Sequence, residues 1–424
     1  MVEKIVPRWP RVVAAILTSL ASGVLFTWSY FRGPLIALFP TWTHGDLSFV
    51  FSMHNMVVGI VMFFAGFIMR RVSSRTMFAF AAVMTLIGLG GFRFLPVDQP
   101  QLAFFMVTVL YGVVAPIGLG ICAIAQFAIY TQWTPERAGL MGGAMLMAYG
   151  SCAFIMGAVA GILIPRIEIL PTISIIGAIC ALLVSVSTIF GAPPEPGVKL
   201  PPAPPRKENK AGKDYTAYQM IKTPLFWIMY IYGTSIFAAG LIFADHAAAI
   251  ALYFGAAAMF GMLFSPAKGL SSVFGGWIID KMSVAGGMSL FAVTLAISSA
   301  SLIVGNRLGS SALILFGLVM GGVSFGGASS VRVTATRFLF GNKYYSQNYS
   351  VATTVIFISS IICYIAGRIV ANSGYIGVFI VTMVLAAAAI LCSVIFILSL
   401  RRVLSSGEAE VPGAEPPQSP SSES

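Results

Sequence analysis

The stretch GAPPEPGVKLPPAPPRKENKAGKDYTAYQMIK, residues 191–222, is a proline-rich and basic interruption in an otherwise apolar chain. Of the 424 residues, 58% are hydrophobic and 9% are charged, whereas a soluble domain carries about 25% charged residues. A single hydrophilic segment near the middle of such a chain indicates a membrane protein made of two halves. We predict an N-terminal unit at 1–190, a C-terminal unit at 223–400 and a disordered tail at 401–424, where serine, proline and glutamate dominate.

On both sides of this linker, apolar segments recur that are long enough to span a membrane. A hydrocarbon core of ~30 Å takes about 20 residues of helix. Twelve segments have roughly that length: 12–31, 47–69, 76–95, 101–130, 138–164, 170–190, 223–245, 250–279, 286–304, 311–336, 347–370 and 375–399. The predicted fold is therefore an all-α membrane protein with twelve transmembrane helices in two six-helix bundles.

Basic residues are distributed unevenly between the two sides of this arrangement. Most of the 25 lysines and arginines lie in the linker, near the termini and in the loops on that same side. Because basic loops stay in the cytoplasm, we predict a multi-pass protein of the cell inner membrane with both termini and the linker cytoplasmic. This asymmetry accounts for most of the net charge of +11 without a nucleic-acid partner.

Several functional classes have no visible site in the sequence. It contains no P-loop, no HExxH, no CxxC and no GxGxxG after a strand, so neither ATP-driven transport nor metal chemistry is predicted. The five cysteines lie within apolar segments, which argues against a disulfide framework. We predict no enzyme activity, no cofactor and no metal.

The ends of spans 2 and 8 carry a repeated pattern. AGFIMRRVS at 65–73 and GGWIIDKMS at 275–283 both place two small residues ahead of a charged pair and a final serine. Their equivalent positions in the two halves indicate a duplication with parallel repeats. Span 5 adds a face of small residues, including Gly143, Gly150 and Gly157, which predicts close contact with a helix of the other half.

Gly276, Asp280 and Lys281 in the second copy resemble a short loop motif of the major facilitator superfamily, found between spans 2 and 3 and echoed between spans 8 and 9. The first copy departs from it, because Arg70 stands where an acid is expected. Other stretches resemble the oxalate/formate antiporter branch, which is related to the monocarboxylate transporters: Ser22-Gly23-Val24 with Trp28 and Pro34, Trp133-x-Pro135-x-Arg137, Tyr149-Gly150, Thr223-Pro224-x-Phe226-Trp227 and Asn348-Tyr349. The resemblance implies secondary transport by alternating access, with Gly276, Asp280 and Lys281 as a gating motif.

One departure from this branch bears on the substrate. The resemblance implies a dicarboxylate site made by an arginine in span 8 and a lysine in span 11, but the corresponding positions here are Ser272 and Ile356. Oxalate is therefore not the expected substrate. Monocarboxylate transporters carry an acid one turn before the span 8 arginine, and Lys268 takes that place. We expect a small organic anion, most simply a monocarboxylate.

Lys268 is the strongest candidate for contact with this anion. By helical rise it lies about 18 Å from Asp280, near the middle of the bilayer, where a lysine costs roughly 2.5–3.5 kcal/mol on insertion scales. A water-filled cavity or a bound anion would offset that cost. Pro266 and Gly269 flank Lys268 and favour a broken helix of the kind found at transporter sites. The alternative is a structural pairing with another helix.

Other polar residues of the spans are further candidates. Arg32 lies near one membrane interface, where it either attracts anions or snorkels; snorkelling is also the expectation for Arg332 and Arg368. The remaining candidates for substrate contact are polar residues of spans 2, 4, 5 and 8: Asn55, Gln126, Tyr149 and Ser272.

Two further residues are candidates for proton coupling, Asp245 and His54. Asp245 ends the predicted span 7, where a loop cap is the alternative. His54 titrates near physiological pH if exposed, and a packing histidine is the alternative.

The sequence thus predicts a monomeric secondary transporter of small organic anions, by exchange or proton symport, with lipid as its surroundings. An exporter of a neutral or drug-like metabolite, with Lys268 structural, stays open. So does a different class, a membrane sensor or a channel.

Overall fold

The computed structural model describes residues 7–69, 71–135, 138–195, 198, 200, 214–341 and 343–405. Side chains of a few helical residues, including Phe67, Gly139, Asp280 and those of 400–405, lie outside the description. The described residues are almost entirely helical, which confirms the predicted all-α fold.

The N-terminal half contains six long helices. They are α1 Trp9–Leu38, α2 His44–Ile68, α3 Ser74–Phe94, α4 Pro100–Trp133, α5 Ala138–Ile167 and α6 Ile169–Phe190. Two of them are irregular inside: α1 tightens to a 3₁₀ stretch at Gly23–Thr27, and α4 widens to a π-helical turn at Leu110–Val114. Such irregular turns often occur at functional positions.

The C-terminal half repeats the pattern after a one-turn helix, Ala217–Ile221. Its long helices are α7 Pro224–Tyr253, α8 264–282, α9 284–308, α10 Ser311–Phe340, α11 345–373 and α12 375–405. A short helix, Ala258–Gly261, precedes α8, and α11 is interrupted at Thr354. Ser283 and Gly374, with φ of 72° and 66°, separate α8 from α9 and α11 from α12.

Within the described ranges, eleven helices are long and apolar enough to cross a membrane. The twelfth, α8, packs between α5 and α10 and completes the predicted set of twelve. Two boundaries were predicted wrongly, because α7 continues to Tyr253 and α8 begins only at Phe264. Pro266 consequently lies in the first turn of α8, where a missing N–H is tolerated, and does not break a helix interior.

The repeated nonapeptides have the same local structure in both halves. Ser73 accepts a hydrogen bond from the backbone N–H of Thr76 at 3.2 Å, and Ser283 accepts one from that of Gly286 at 3.4 Å. Each copy therefore ends in a serine that caps the following helix. This correspondence supports a duplication.

The linker lies at one membrane face, which we call the linker face. Arg11 stacks 3.8 Å over the ring of Trp133, whose indole N–H donates to the carbonyl of Ala192. The beginning of α1 therefore lies on the linker face, with the ends of α4 and α6. The opposite side, the far face, carries the α1–α2, α7–α8 and α11–α12 connections.

The halves meet along three helix pairs, α1 with α7, α2 with α11 and α5 with α8. On α5, Gly150 packs so closely on α8 that an added Cβ would lie 2.6 Å from the Cα of Gly269. Gly143 faces Val273 on the same pair of helices. The glycine face of α5 thus contacts the other half, as predicted.

Much of the predicted linker, including 201–213, lies outside the described residues. Its described end is attached to the C-terminal half: the N–H of Tyr215 donates to the carbonyl of Phe340, and the side-chain amide of Asn348 donates to the carbonyl of Tyr215. The tail boundary predicted at 401 is early, because α12 continues to Ser405. Residues 406–424 are outside the description.

Candidate functional site

Lys268 lies where the two halves meet, with its ammonium group among three aromatic rings. Nζ is 3.7 Å from the ring centre of Phe26 on α1, 4.9 Å from that of Tyr149 on α5 and 4.4 Å from that of Phe325 on α10. We call these three residues the aromatic cage. Two of the rings come from the N-terminal half and one from the C-terminal half, so the lysine joins them across the interface.

The ammonium group has no acidic partner among the described residues. Lys268 is 7% exposed, and the aromatic faces are its contacts. Cation–π attraction holds the charge in place but does not neutralise it. The arrangement can therefore accept an anion without displacing a protein carboxylate.

Local sequence explains why the cage residues can approach Lys268. Phe26 lies in the 3₁₀ stretch of α1, and Phe325 lies in the run GGVSFGGASS at 321–330. At Gly326 an added Cβ would clash with the carbonyl oxygen of Lys268. Glycine at this position lets α10 contact α8 closely enough for Phe325 to reach Nζ.

A second charged cluster joins the halves nearer the far face. The Arg32 guanidinium on α1 forms an ion pair with the Asp245 carboxylate on α7, and both side chains are 0% exposed. Ser48 on α2 accepts from Arg32 at 3.0 Å and donates to Asp245 at 2.5 Å. We call Arg32, Ser48 and Asp245 the far-face lock.

Two histidines border the lock. The backbone carbonyl of His44 accepts from Arg32 at 2.8 Å, and Nδ1 of His246 lies 3.4 Å from a carboxylate oxygen of Asp245. Close by, the N–H of Ala248 donates to the hydroxyl of Ser29 at 2.8 Å, which again joins α7 to α1. The halves are thus in direct contact on this side.

These contacts correct two expectations. Arg32 does not snorkel to an interface, because it is fully buried and paired. Asp245 is not a loop cap, because α7 continues for two further turns beyond it. The pairing explains both errors, since a charge that is satisfied by a partner does not have to end a transmembrane helix.

Of the other candidates for substrate contact, Tyr149 is the one whose side chain contacts the Lys268 ammonium group in the described residues. Ser272 donates to the carbonyl of Lys268 at 2.9 Å, so its proton is used within the helix contact. Asn55 donates to Phe51 of its own helix. Gln126 accepts from Ser19 inside the N-terminal half, and its buried amide nitrogen, Nε2, has no hydrogen-bond partner among the described residues.

His54 and the gating motif lie apart from Lys268. The His54 ring contacts Tyr111 of α4, and its Nδ1 lies 2.8 Å from the Tyr111 carbonyl, which fits a packing histidine. Gly276 has open space around its Cα, and Lys281 stacks on Trp277 at the linker end of α8. The Asp280 side chain is outside the description. No group of three potential metal ligands occurs in the described part of the chain.

Sequence comparison finds two transporters. The chain is 25% identical over 227 residues to YhjX, an uncharacterised MFS-type transporter of Escherichia coli K12, and the match spans 52% of each protein, about half the length of YhjX. It is 23% identical over 372 residues to the oxalate:formate antiporter of Oxalobacter formigenes, covering 81% of this chain and 80% of that protein. No protein-family model matches the chain.

Solved structures share the arrangement of helices. The xylose transporter XylE of E. coli in an inward open conformation superposes with a TM-score of 0.69 at 13% identity, covering 92% of this chain and 96% of XylE. A variant of the nucleoside transporter NupG gives 0.67 at 14% identity, with 92% and 99% covered. The chain has the twelve-helix fold of major facilitator transporters, and both sequence relatives are transporters. The similarity of the chain to the oxalate:formate antiporter agrees with the branch that its short motifs indicated.

The aromatic cage and the far-face lock contain residues that the sequence analysis did not predict. Phe26 and Phe325 are not among the predicted candidates, and Ser48 was not predicted to contact Arg32 or Asp245. One signal was available: Phe325 is a lone aromatic residue between glycine pairs, at 321–322 and 326–327. A bulky ring in such a run indicates that another backbone approaches closely while the ring fills a site.

Proposed function

We propose that this protein is a secondary active transporter of the major facilitator superfamily, which moves small organic anions across the inner membrane by alternating access. The observation that carries the proposal is Lys268, a buried cation at the junction of the halves whose contacts are aromatic rings. A structural cation would be expected to have an internal counter-ion, as Arg32 has in Asp245. Lys268 has no such counter-ion among the described residues, so a substrate anion can take that position.

The aromatic cage lowers the free-energy cost of burying Lys268 when no substrate is bound. A lysine at membrane depth costs roughly 2.5–3.5 kcal/mol, and each cation–π contact contributes roughly 0.5–2 kcal/mol. Three rings can therefore offset most of the cost in the absence of substrate. A carboxylate would add a charge-assisted hydrogen bond, which is stronger than a neutral one.

The contacts between the halves support alternating access. The far-face lock closes one side in this structure, below a cleft of about 480 Å³ whose lining includes Ser29, Tyr30, His44 and Tyr375. Opening the far face would separate Arg32 from Asp245, while the close α5–α8 contact at Gly150 provides a line along which the halves rock. The anion would then reach Lys268 from either side in turn.

The relatives and the sequence support a carboxylate. The oxalate:formate antiporter is named for the exchange of two carboxylates. Ser272 and Ile356 stand where the family resemblance implies the two cations of an oxalate site, and this favours an anion with a single carboxylate over oxalate. Both exchange and proton symport remain compatible with the lock, since Asp245 is an acid whose protonation would release Arg32.

Orientation and assembly complete the proposal. The basic linker face would be cytoplasmic by the positive-inside rule, which places both termini in the cytoplasm and the far-face cleft outside. The binding site is built from the two halves of one chain, so the protein would act as a monomer.

Counterflow in proteoliposomes tests this function. Vesicles loaded with unlabelled anion are expected to accumulate labelled formate, acetate, butyrate or lactate, and Lys268→Gln is expected to lower the rate at least tenfold, because a hydrogen bond to a charged group is worth about 1.5–3 kcal/mol. Lys222→Gln is the matched control, since Lys222 stacks on Tyr218 at 4.1 Å but is exposed outside the spans.

The outcome distinguishes the alternatives. Normal counterflow by a folded Lys268→Gln protein would contradict the site, and transport of neutral compounds unaffected by carboxylate competitors would favour the exporter. Conductance without saturation or counter-substrate stimulation would indicate a channel.

A further inference from the structure

Arg332 on α10 is a half-buried cation, and part of its guanidinium has no hydrogen-bond acceptor among the described residues. Its Cζ lies 4.2 Å from the ring centre of Phe237 and 5.7 Å from that of Tyr349. Nε and Nη1 are buried and have no hydrogen-bond partner. Arginine remains charged at every physiological pH, so these two nitrogens carry hydrogen-bond donors for which the described residues supply no acceptor.

Snorkelling explains only part of this arrangement, because Arg332 is half-buried and two of its three guanidinium nitrogens are withdrawn from solvent. A snorkelling arginine places its nitrogens in water at the interface, whereas Nε and Nη1 of Arg332 are withdrawn from solvent. The adjoining cavity, lined by Tyr230, Thr336 and Val355 among others, has a volume of about 10 Å³. That is about the space of one water, and apart from Arg332 and the hydroxyls of Tyr230 and Thr336 its lining side chains are apolar.

Arg332 is connected to the Lys268 site through touching rings. Phe325, which contacts Lys268, packs edge-on against Phe237 with ring centres 4.9 Å apart, and Phe237 carries Arg332 on its face. Arg332 lies two helical turns, about 10 Å, from Phe325 along α10. Lys268 and Arg332 are thus like charges joined by one pair of touching rings, and like charges repel each other.

An anion between the two cations would relieve this repulsion. A carboxylate at Lys268 satisfies one charge, and an oxygen acceptor elsewhere in the same molecule would satisfy the buried N–H groups of Arg332. A simple alkyl monocarboxylate can do only the first. The arrangement therefore discriminates between anions by their second polar group.

We propose that Arg332 is the second anion contact of the Lys268 site, so that the preferred substrate is a carboxylate carrying a second oxygen acceptor. This class includes hydroxy acids and dicarboxylates longer than oxalate. The inference rests on the proposed transport function and names the substrate class of the same site. It assigns specificity to Arg332, while Lys268 binds every carboxylate.

Competition against counterflow tests this inference on the full-length protein in proteoliposomes. Butyrate, 4-hydroxybutyrate and succinate have the same four-carbon chain and differ in their second group. In the unmodified protein, at least one of the two bifunctional acids is expected to inhibit at a concentration at least tenfold lower than butyrate. In Arg332→Gln that ratio is expected to fall to within about threefold, with butyrate inhibition retained.

Two further variants control for folding and for charge. Arg332→Lys keeps the charge with fewer donors and is expected to recover part of the preference. Arg307→Gln, at an exposed site at the far end of α9, is expected to leave the ratio unchanged. Thermal unfolding and monodispersity verify that each protein is folded.

The results distinguish the role of Arg332 from the proposed transport function. An unchanged ratio in Arg332→Gln overturns the role of Arg332 while leaving transport through Lys268 intact, and so does equal inhibition by all three acids in the unmodified protein. If no carboxylate inhibits or exchanges in any variant, the proposed function fails and this inference fails with it.

Discussion

Arg32 of α1 and Asp245 of α7 form a fully buried ion pair between the two halves of the protein. Ser48 bridges both groups from α2. Removing one partner would leave the other charged and without water, whereas removing both would leave a neutral polar contact. The ion pair therefore stabilises the arrangement in which α7 packs against α1 and the far face is closed.

Breaking one side of the pair is expected to destabilise the protein more than breaking both. Arg32→Gln should lower the free energy of unfolding by about 3–5 kcal/mol, because Asp245 stays buried and unpaired. Adding Asp245→Asn should restore part of the loss. Unfolding temperatures of the single and double variants in detergent measure the coupling. Arg166→Gln, which changes an exposed arginine at the end of α5, serves as control, and additive losses would argue against the pair.

In the proposed function, Asp245 is the acid through which a proton would act on the closed state. The groups around it are Arg32 from α1, His44 and Ser48 from α2, Tyr111 from α4, His246 from its own helix, Cys363 from α11 and Tyr375 from α12.

Asp245→Asn has the shape of the protonated acid and cannot change charge. We expect this variant to exchange anions at equal pH but to lose any acceleration by an imposed pH gradient. Uptake with and without a gradient measures this. Acceleration that persists in the variant would place proton coupling elsewhere.

The rings around Lys268 are expected to contribute individually to anion affinity by fixing the position of Nζ. Phe325→Leu removes one cation–π contact and should raise KM about two- to fivefold, for a contact worth about 0.5–1 kcal/mol. Tyr149→Phe keeps the ring and should have little effect. Phe316→Leu, an exposed position on the same helix, is the control. A larger loss in Tyr149→Phe than in Phe325→Leu would mean that the hydroxyl, and not the ring, contacts the substrate.

The α5–α8 contact is expected to tolerate no added side chain at Gly150. A Cβ there would lie 2.6 Å from the Cα of Gly269, so Gly150→Ala must push the halves apart. A cost of about 1–3 kcal/mol is typical of such overpacking, and counterflow should fall as well. Gly142→Ala is the matched control on the same helix, because nothing lies within 4 Å of its added Cβ. Equal behaviour of the two variants would contradict the role of this contact.

The sequence by itself determined the helices, the two halves and the joint between them. Hydropathy is a local property, and a segment in lipid has to satisfy its backbone hydrogen bonds within its own helix. Spans, the linker at 191–222 and the repeated pattern at 65–73 and 275–283 could therefore be predicted without any tertiary contact. The prediction failed at the end of α7, because Asp245 was treated as an exposed charge while its partner was unknown.

Only the tertiary structure decided which groups surround Lys268 and Arg32. The ring of Phe26 and that of Phe325 come from different halves, and Arg32 is separated from Asp245 by 213 positions in the chain. No local pattern predicts such pairs, since they depend on how two bundles face each other. Lys268 and Arg32 both look like isolated cations in apolar segments. In the folded protein, Arg32 contacts the carboxylate of Asp245, whereas Lys268 contacts aromatic rings. That difference separates a structural ion pair from a candidate substrate site.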